Sequence, residues 1–581
     1  MVTRLPLYVK PAEAGAAEPT SFALGGLSSE EVVVAYHERT KHHYHRFAAS
    51  PDFMDWATQP DPFRRYPGAD LVPLPLPEPG RPLPYWKLYA RGEVPKEPIS
   101  LGSISLFFRY ALSLTAWKRI HQTTWSLRAN PSSGNLHPTE GYAVLPAIER
   151  LGDVPAVYHY APKEHALERR ALLDAKAWAE LSLPFPEGSF LVGLSSVHRR
   201  EAWKYGERAF RYCQHDVGHA LATLRLAAAA LGWGLVLLDG TSDQVIGDLL
   251  GQSRADDYGM AEREEPELLA VVTPGTASPP FPSGLTTGSS GTRWWGKANV
   301  LSPEHGALWP VIDEVAQATR RSADVPIRDD FSGFPTEQDV FGIPVRHGLL
   351  TAEKAILGRR SAVAMDGSTP MSQEAFFRML GRLMPTAGRS SPWDAIPWRP
   401  RIHLGLFVHR VVGVARGLYA LARDPGKVAT LKEVMRPDFA WQRPPSCPVG
   451  LPLYLLQEGD CRALAVNVSC GQDIAGEGAF SLGMLADYMD SLTRYGAAFY
   501  RNLFWEAGMV GQVLYLEAEE AGLRGTGIGC YFDDSVHETF GITSREWQSF
   551  YHFAVGGPVE DGRLTTLPAY EHLPHPGALH E

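Results

Sequence analysis

The feature that most limits what this chain can fold into is that it matches itself. Residues Lys204 to Gly232 lie over Arg494 to Gly522 at a constant offset, 494 − 204 = 290, without a gap. The identities in that window are Tyr205/Tyr495, Gly206/Gly496, Arg211/Arg501, Gly218/Gly508, Leu224/Leu514, Leu226/Leu516, Ala228/Ala518 and Gly232/Gly522. Average residue usage gives about two such matches in a window of this length. A common amphipathic pattern accounts for the Leu and Ala pairs, but not for Tyr-Gly or Arg. The flanking order repeats as well. The helical pattern Ser103 to Ala111 answers to Ser372 to Leu380, the strand at Gly141 to His403 through Val411, and Leu268 to Val272 to Phe550 through Val555. The expectation is a fused duplication of one α+β unit, which lets a single chain build the interface that a symmetric homodimer builds between subunits.

With 581 residues, a prior of roughly 150 residues per domain agrees with at least two domains. The stretch Pro274 to Gly291 is too dense in Gly, Pro and Ser for regular structure and divides the copies. The expected organisation is a lead-in over 1–28, a first domain over 29–273, a linker and connecting segment over 274–345, and a second domain over 346–581. Trp294-Trp295 beyond the linker is expected to pack down on a surface. In the first copy, Ser28 or Ser29 caps a helix from about Glu30. Tyr66 to Pro98, rich in Pro, reads as an extended strap outside the core. Strands are expected at Gly141 to Leu145, Val157 to Tyr160 and Phe190 to Leu194. A long helix runs from about Glu201 to Leu231, with Val217, Leu221, Leu224, Ala228 and Leu231 on one buried stripe.

Several function classes have no foothold. Lys+Arg 55 against Asp+Glu 65, a net charge of −10, argues against a generic nucleic-acid binder. The five cysteines are scattered, with no Cys-x-x-Cys, which fits a reducing compartment. No apolar h-region opens the sequence, so the cytoplasm is the default. The apolar run Ala220 to Leu238 contains Arg225, Gly232 and Gly234 and reads as a buried helix entering a strand, not a membrane span. Four His between His37 and His45 lack the carboxylates or Cys of a metal site and read as a solvated helix end, so no metal is expected. Gly-x-Ser-x-Gly, His-Glu-x-x-His and Walker patterns do not occur.

The site-like chemistry gathers in Arg128-Ala-Asn-Pro-Ser-Ser-Gly-Asn-Leu-His-Pro-Thr-Glu-Gly-Tyr142, a polar loop between apolar segments. Pro131 fixes its φ and biases Asn130 towards extended geometry, while Ser132, Ser133, Gly134 and Asn135 put hydroxyl, amide and backbone N–H groups where a small Gly allows close approach. Such a loop suits a flat, hydrogen-bonding cofactor. Arg359, Arg360 and Ser361, expected at a helix start, can clamp a phosphate, and Arg39 with Lys41 around Thr40 offers the same chemistry. Lys204 and Tyr205 supply an ammonium and a phenol able to move a proton.

On these residues the chain resembles the nitroreductase superfamily, and within it the SagB-type azoline dehydrogenase branch. Pro131 through Asn135 with His137-Pro-Thr-Glu-Gly-Tyr142 is similar to that family's flavin loop, Gly358-Arg-Arg-Ser361 to its Arg-Arg-Ser element, and Lys204-Tyr205 to its catalytic Lys-Tyr segment. The resemblance implies an α+β fold, two fused copies of the FMN-dependent unit forming an intramolecular pseudo-dimer, with FMN between them. One site would combine Arg359, Arg360 and Ser361 with Pro131, Ser132, Ser133, Gly134 and Asn135, and with a second-half turn at Gly525, Thr526, Gly527 and Gly529. A pseudo-symmetric site would use Arg39, Thr40 and Lys41 with Arg389, Ser390 and Ser391. Because Arg-Thr-Lys replaces Arg-Arg-Ser there and Trp233-Gly234 replaces the Gly-rich turn, a single working site is expected.

The implied activity is FMN-dependent oxidation of a small molecule or modified peptide, in its specific form azoline to azole, alongside biosynthetic partner proteins and without nucleic acid or membrane. An NAD(P)H-dependent nitro or quinone reductase and a non-catalytic scaffold with decayed flavin sites are the alternatives.

Overall fold

The computed structural model describes residues 26–76, 82–275, 285, 293–302, 304, 307–322, 326–342 and 349–573. Most of the expected lead-in, most of the linker through Gly291 and part of the Pro-rich strap lie outside the described residues. Two antiparallel sheets carry the chain. In spatial order the first runs Asp70–Pro73, Ala166–Leu172, Ala156–Ala161, Thr139–Leu145, Phe190–Ser196, Glu265–Thr273, Gly234–Leu237. The second runs Leu453–Glu458, Gly417–Leu421, Ile402–Val408, Phe480–Asp487, Trp547–Gly556, Arg524–Ile528. Remove the Asp70–Pro73 edge and the two orders coincide. That edge corrects one expectation: part of the Pro-rich strap is a strand, paired with Ala166 to Arg169, and its Pro73 sits at a sheet edge, where a missing donor is tolerated.

The offset of 290 survives folding to the residue. Helix His198–Tyr205 answers to Tyr488–Tyr495, and Ala209–Ala230 to Phe499–Glu520. The last two are central helices, buried on every side through most of their length, as expected of helices that lie inside a core rather than on it. They cross where Gly218 meets Gly508. A Cβ on Gly508 would stand 2.9 Å from the Gly218 Cα and overlap the His215 carbonyl; one on Gly218 would overlap the Trp505 carbonyl. The two matched glycines are thus what lets the backbones approach. Val217 and Leu221 from one helix and Val510 and Leu514 from the other belong to one continuous apolar core.

The other unexplained identities resolve in the same way. The expected helix from Glu201 to Leu231 breaks at Gly206, whose φ of 54° and overlap with the Ala49 carbonyl exclude a side chain; Gly496 repeats the positive φ, at 78°. Arg211 and Arg501 reach across to the opposite half. Arg211 pairs with Asp533 at 2.9 Å and Arg501 with Asp243 at 2.8 Å, and those two aspartates are themselves 290 apart. A reciprocal pair of contacts is the signature of an isologous interface, here folded into one chain. Thr565–Leu567 then crosses to the first-half hairpin Leu114–Ile120 and Thr123–Arg128, forming a third sheet.

Helix Ser29–Arg39 carries a capping box on Ser28, and Trp294 lies across Gly251 with its backbone bridged to Ala171. Among the described residues no helix is long and apolar enough to cross a membrane.

Candidate functional site

A cavity of about 780 Å³ opens between the halves. Its lining brings together Pro131, Ser132, Ser133, Gly134, Asn135 and Tyr205 from the first half with Arg359, Arg360, Ser361, Thr526, Gly527 and Gly529 from the second. Gly525 stands behind Ser361, joined to it by a parallel bridge, and its carbonyl accepts the Ala362 N–H at 3.0 Å. The expected turn over Gly525 to Gly529 is instead the edge strand Arg524–Ile528 running out into the cavity. Its glycines leave room for aromatic neighbours: a Cβ on Gly525 would meet the Phe553 ring at 2.7 Å, and Cβ atoms on Gly527 and Gly529 would overlap Tyr551 and Tyr212. A flat, side-chain-free ribbon beside aromatic rings is the result.

The Pro131 loop is held from within. Gly134 and Asn135 take left-handed φ values of 57° and 60°. Asn135 Nδ2 donates to the Ser126 carbonyl at 2.9 Å, the His137 N–H to Ser132 Oγ at 3.0 Å, and the Ser133 N–H to the Asp216 carboxylate at 3.0 Å. The Ser133 N–H is therefore already committed. Asp216 was not picked out from sequence; its alignment with Glu506, an acid on an acid within the repeat, is the signal that marks it. Burial pushes the Asp216 carboxyl well above the usual range, opposed by its bonds from Ser133.

The opposite end of the cavity is cationic. Arg359 donates to the Arg128 carbonyl at 3.0 Å and lies over the Tyr515 ring at 5.0 Å, while its buried Nε finds no acceptor among the described residues. Burial, with Arg359 and Arg524 beside it, pushes Arg360 down to about 10. Lys118 and Arg524 also line this end; the anions nearby are Glu519, paired with Arg524, Glu560 beside Lys118, and Asp561, paired with Arg563. Tyr515 ties the second-half wall together, accepting the Gly527 N–H at 3.0 Å and bonding Ser361 Oγ at 2.9 Å. Lys204 stands one layer back. A Cβ on Gly134 would lie 2.6 Å from the Tyr205 hydroxyl and 3.2 Å from Lys204 Nζ. Burial depresses the Lys204 ammonium and raises the Tyr205 phenol.

The residues named for a pseudo-symmetric site are each engaged with other partners. Arg39 is paired to Glu207 through Nε at 3.0 Å, Lys41 to Glu38 at 2.9 Å and Asp534 at 3.0 Å, and the Thr40 hydroxyl donates to the Tyr36 carbonyl at 2.8 Å. Arg389, on the loop with Ser390 and Ser391, donates to the Asp394 and Ile396 carbonyls and stacks on Phe331 at 4.8 Å. The positions that answer to the cavity wall are filled. Arg225, in register with Tyr515, pairs with Asp394 at 2.7 Å. Asp239, in register with Gly529, receives the Ile327 N–H at 2.7 Å, and Asn502, in register with Tyr212, accepts from Arg321 at 2.9 Å. Asp329 takes the Tyr495 hydroxyl at 2.8 Å. The connecting segment thus lies where a second ligand would have to lie. Among the described residues no group of three or more His, Cys, Asp or Glu is placed to hold a metal ion.

The chain matches the profile of the Nitroreductase family over residues 96–261 and again over 356–557, more than half of its length. It is 35% identical over 153 residues to the trifolitoxin-processing protein TfxB of Rhizobium leguminosarum bv. trifolii, covering 25% of this chain and 40% of that protein. It is 30% identical over 126 residues to a Methanocaldococcus jannaschii protein described as a nitroreductase, covering 21% of this chain and 62% of that one. The chain therefore spans less than two thirds of the length of these curated relatives. The crystal structure of a protein from Anabaena variabilis, also described as a nitroreductase, superposes with a TM-score of 0.66 at 22% identity, covering 91% of this chain and 99% of the other. That likeness shows the fold.

Proposed function

This chain belongs to the nitroreductase family of oxidoreductases, and from that premise we propose that it binds one FMN per chain and works as a SagB-type dehydrogenase on a modified peptide. The observation that carries the reading is the meeting, in one cavity, of Arg359 and Arg360 with the Ser132 to Asn135 loop. The fit is chemical. A cluster of Arg359, Arg360, Arg524 and Lys118 that outnumbers its anions, with an orphaned buried guanidinium nitrogen, calls for a phosphate. The side-chain-free strand from Gly525 to Gly529 and the Gly134 loop suit the two faces or edges of a flat ring system.

When bound, FMN supplies a two-electron acceptor for hydride. The chain's own residues do the rest. Arg359 and Arg360 hold the anionic end, Ser361 and Tyr515 keep the second-half strand against the cavity, and Asp216 fixes the Pro131 loop. Lys204 and Tyr205, both half-buried, stand where a substrate proton can be taken up or returned. The likeness to a protein named for trifolitoxin processing supports a substrate carried on a precursor under processing, against a free nitroaromatic or quinone; azoline oxidation is the form of the chemistry that the Lys204-Tyr205 segment suggests.

The test is the visible spectrum of the purified protein with released flavin counted per chain. One flavin per chain is expected; a colourless protein that fails to take up added FMN overturns the reading, leaving a scaffold. Addition of NADPH separates the reductase alternative, since rapid bleaching of the flavin by NADPH is that activity's signature and is not expected here.

A further inference from the structure

Lys204 and Tyr205 end their helix with two donors that nothing receives. Among the described residues neither the Lys204 ammonium nor the Tyr205 hydroxyl has a hydrogen-bond acceptor or an ion-pair partner. The ammonium lies over the Tyr205 ring, 5.2 Å from its centre. Both donors converge on one spot, since a Cβ on Gly134 would stand 2.6 Å from the hydroxyl and 3.2 Å from the ammonium nitrogen. Both residues are half-buried, and Tyr205 lines the cavity.

The duplicate of this pair is engaged. Arg494 and Tyr495 hold the same two positions at the end of helix Tyr488–Tyr495, before a glycine that also has a positive φ, and Arg494 lies over its own tyrosine ring at 5.1 Å. There one carboxylate takes both donors. Asp329 Oδ1 accepts from Arg494 at 2.9 Å and Oδ2 from the Tyr495 hydroxyl at 2.8 Å, with the Arg399 N–H adding a bond to Oδ2 at 2.9 Å. Asp329 belongs to the connecting segment, which has neither helix nor strand over 326–331. Two residues earlier the Ile327 N–H donates to Asp239, in register with Gly529. The molecule thus carries a peptide across its closed site, with an acidic side chain set on the cation and the phenol.

The open site has the pair without the peptide. We propose that Lys204 and Tyr205 hold a carboxylate side chain of the peptide substrate, bound across the mouth of the cavity as residues 326–331 lie across its counterpart. An ammonium and a phenol side by side favour a group with two acceptor oxygens and a full negative charge, which an amide carbonyl does not offer. The route onward is continuous. The Tyr205 ring lies 4.5 Å from that of Tyr212, whose hydroxyl donates to the Gly529 carbonyl at 3.0 Å, so a chain fixed at Lys204 meets the side-chain-free strand next. The inference deepens the proposed function and rests on it only in calling the bound segment substrate; the hold on a carboxylate needs no flavin.

The probe is a synthetic peptide copied from residues 326–331, Pro-Ile-Arg-Asp-Asp-Phe, carrying a fluorescent label and followed by anisotropy on the full chain with and without added FMN. Asp329→Asn in the peptide is expected to weaken binding about tenfold, and Lys204→Gln in the protein to weaken binding of the unaltered peptide by about as much. The altered peptide is expected to bind the wild-type protein and Lys204→Gln within about twofold of each other, because one contact cannot be lost twice; a merely structural role for Lys204 makes the two losses add. Lys204→Arg, a cation that keeps its proton and matches the duplicate, is expected to bind within about threefold of wild type, which separates holding the peptide from proton transfer. Additive losses, equal binding of both peptides to the wild-type protein, loss of binding in Lys204→Arg, or no binding at millimolar peptide each overturn the proposal. If the protein carries flavin, the proposed function survives those results. A protein that takes up no flavin but shows the coupled losses rejects that function and leaves this inference standing.

Discussion

Asp216 and Glu506 occupy the same place in the two copies and lead opposite lives. Glu506 is saturated: it pairs with Arg423 and accepts from the N–H groups of Trp398 Nε1, Arg401 and Ile402 at 3.1 to 3.2 Å. Among the described residues Asp216 accepts from Ser133 alone, and it faces a cavity. The difference runs through the whole pair of sites. Tyr515 lines an open wall and its counterpart Arg225 closes an ion pair; Gly529 leaves space and its counterpart Asp239 is bonded to the connecting segment. The scaffold positions match in both copies, while the positions that surround a cavity in one are held by ion pairs and the connecting segment in the other.

The largest expected effect separates the two acids. Glu506→Gln breaks a buried pair and is expected to cost about 3–5 kcal/mol of stability with no change in flavin per folded chain, while Asp216→Asn is expected to cost far less in denaturant unfolding and to weaken flavin binding. Equal destabilisation by both would dissolve the contrast.

Next in size is a dependence on pH confined to the first-half sheet. His159 lies between Glu168 at 2.8 Å and Glu140 at 3.3 Å; burial alone would lower its pKa, but the two carboxylates raise it to about 9. A folded pKa above the ordinary value near 6.5 means this stabilisation is fully present below about pH 6.5 and is lost as pH rises through about 9. About 2–3 kcal/mol is expected to disappear, seen as a falling Tm between pH 7 and 10 that His159→Gln flattens. Hydrogen exchange near pH 9 should open the sheet containing Ala156–Ala161 before the one containing Gly417–Leu421.

Arg359→Ala comes third. Loss of a charge-assisted contact of about 1.5–3 kcal/mol predicts FMN affinity weaker by about 10- to 100-fold by fluorescence titration, whereas Arg389→Ala, at the filled site, is expected to leave it within about twofold. Smallest is Tyr515→Phe, which removes one hydroxyl shared by Gly527 and Ser361. About 1 kcal/mol, or roughly fivefold in FMN affinity, is expected.

Much of this was legible before folding, and the failures share a cause. The start of the first helix followed from capping chemistry at Ser28, and the repeat placed the central helices in register, because both depend on local sequence. The Tyr-Gly matches were visible but unexplained until Gly206 proved to have a positive φ against the Ala49 carbonyl. The set Arg39 to Lys41 with Arg389 to Ser391 follows from the resemblance and from residue type, and neither says that Glu207, Glu38 and Asp534 already hold those charges. Nor could spacing show that Arg321 and Ile327, from a segment read as a connector, would be bonded across the counterpart of the cavity and fill it. Those contacts join residues far apart in sequence, and only the fold creates them.

The two central helices carry a consequence for how the protein is made. Ala209–Ala230 is buried on all sides in the finished molecule, largely by Phe499–Glu520, which the ribosome supplies 290 residues later. At about 5–20 residues per second, the earlier helix waits roughly 15–60 seconds for its partner, with an apolar surface and an unpaired Arg211 on offer to whatever is near. A nascent chain of this design is a natural client for a holding chaperone, and it cannot load a ligand between its halves until the second half has been made.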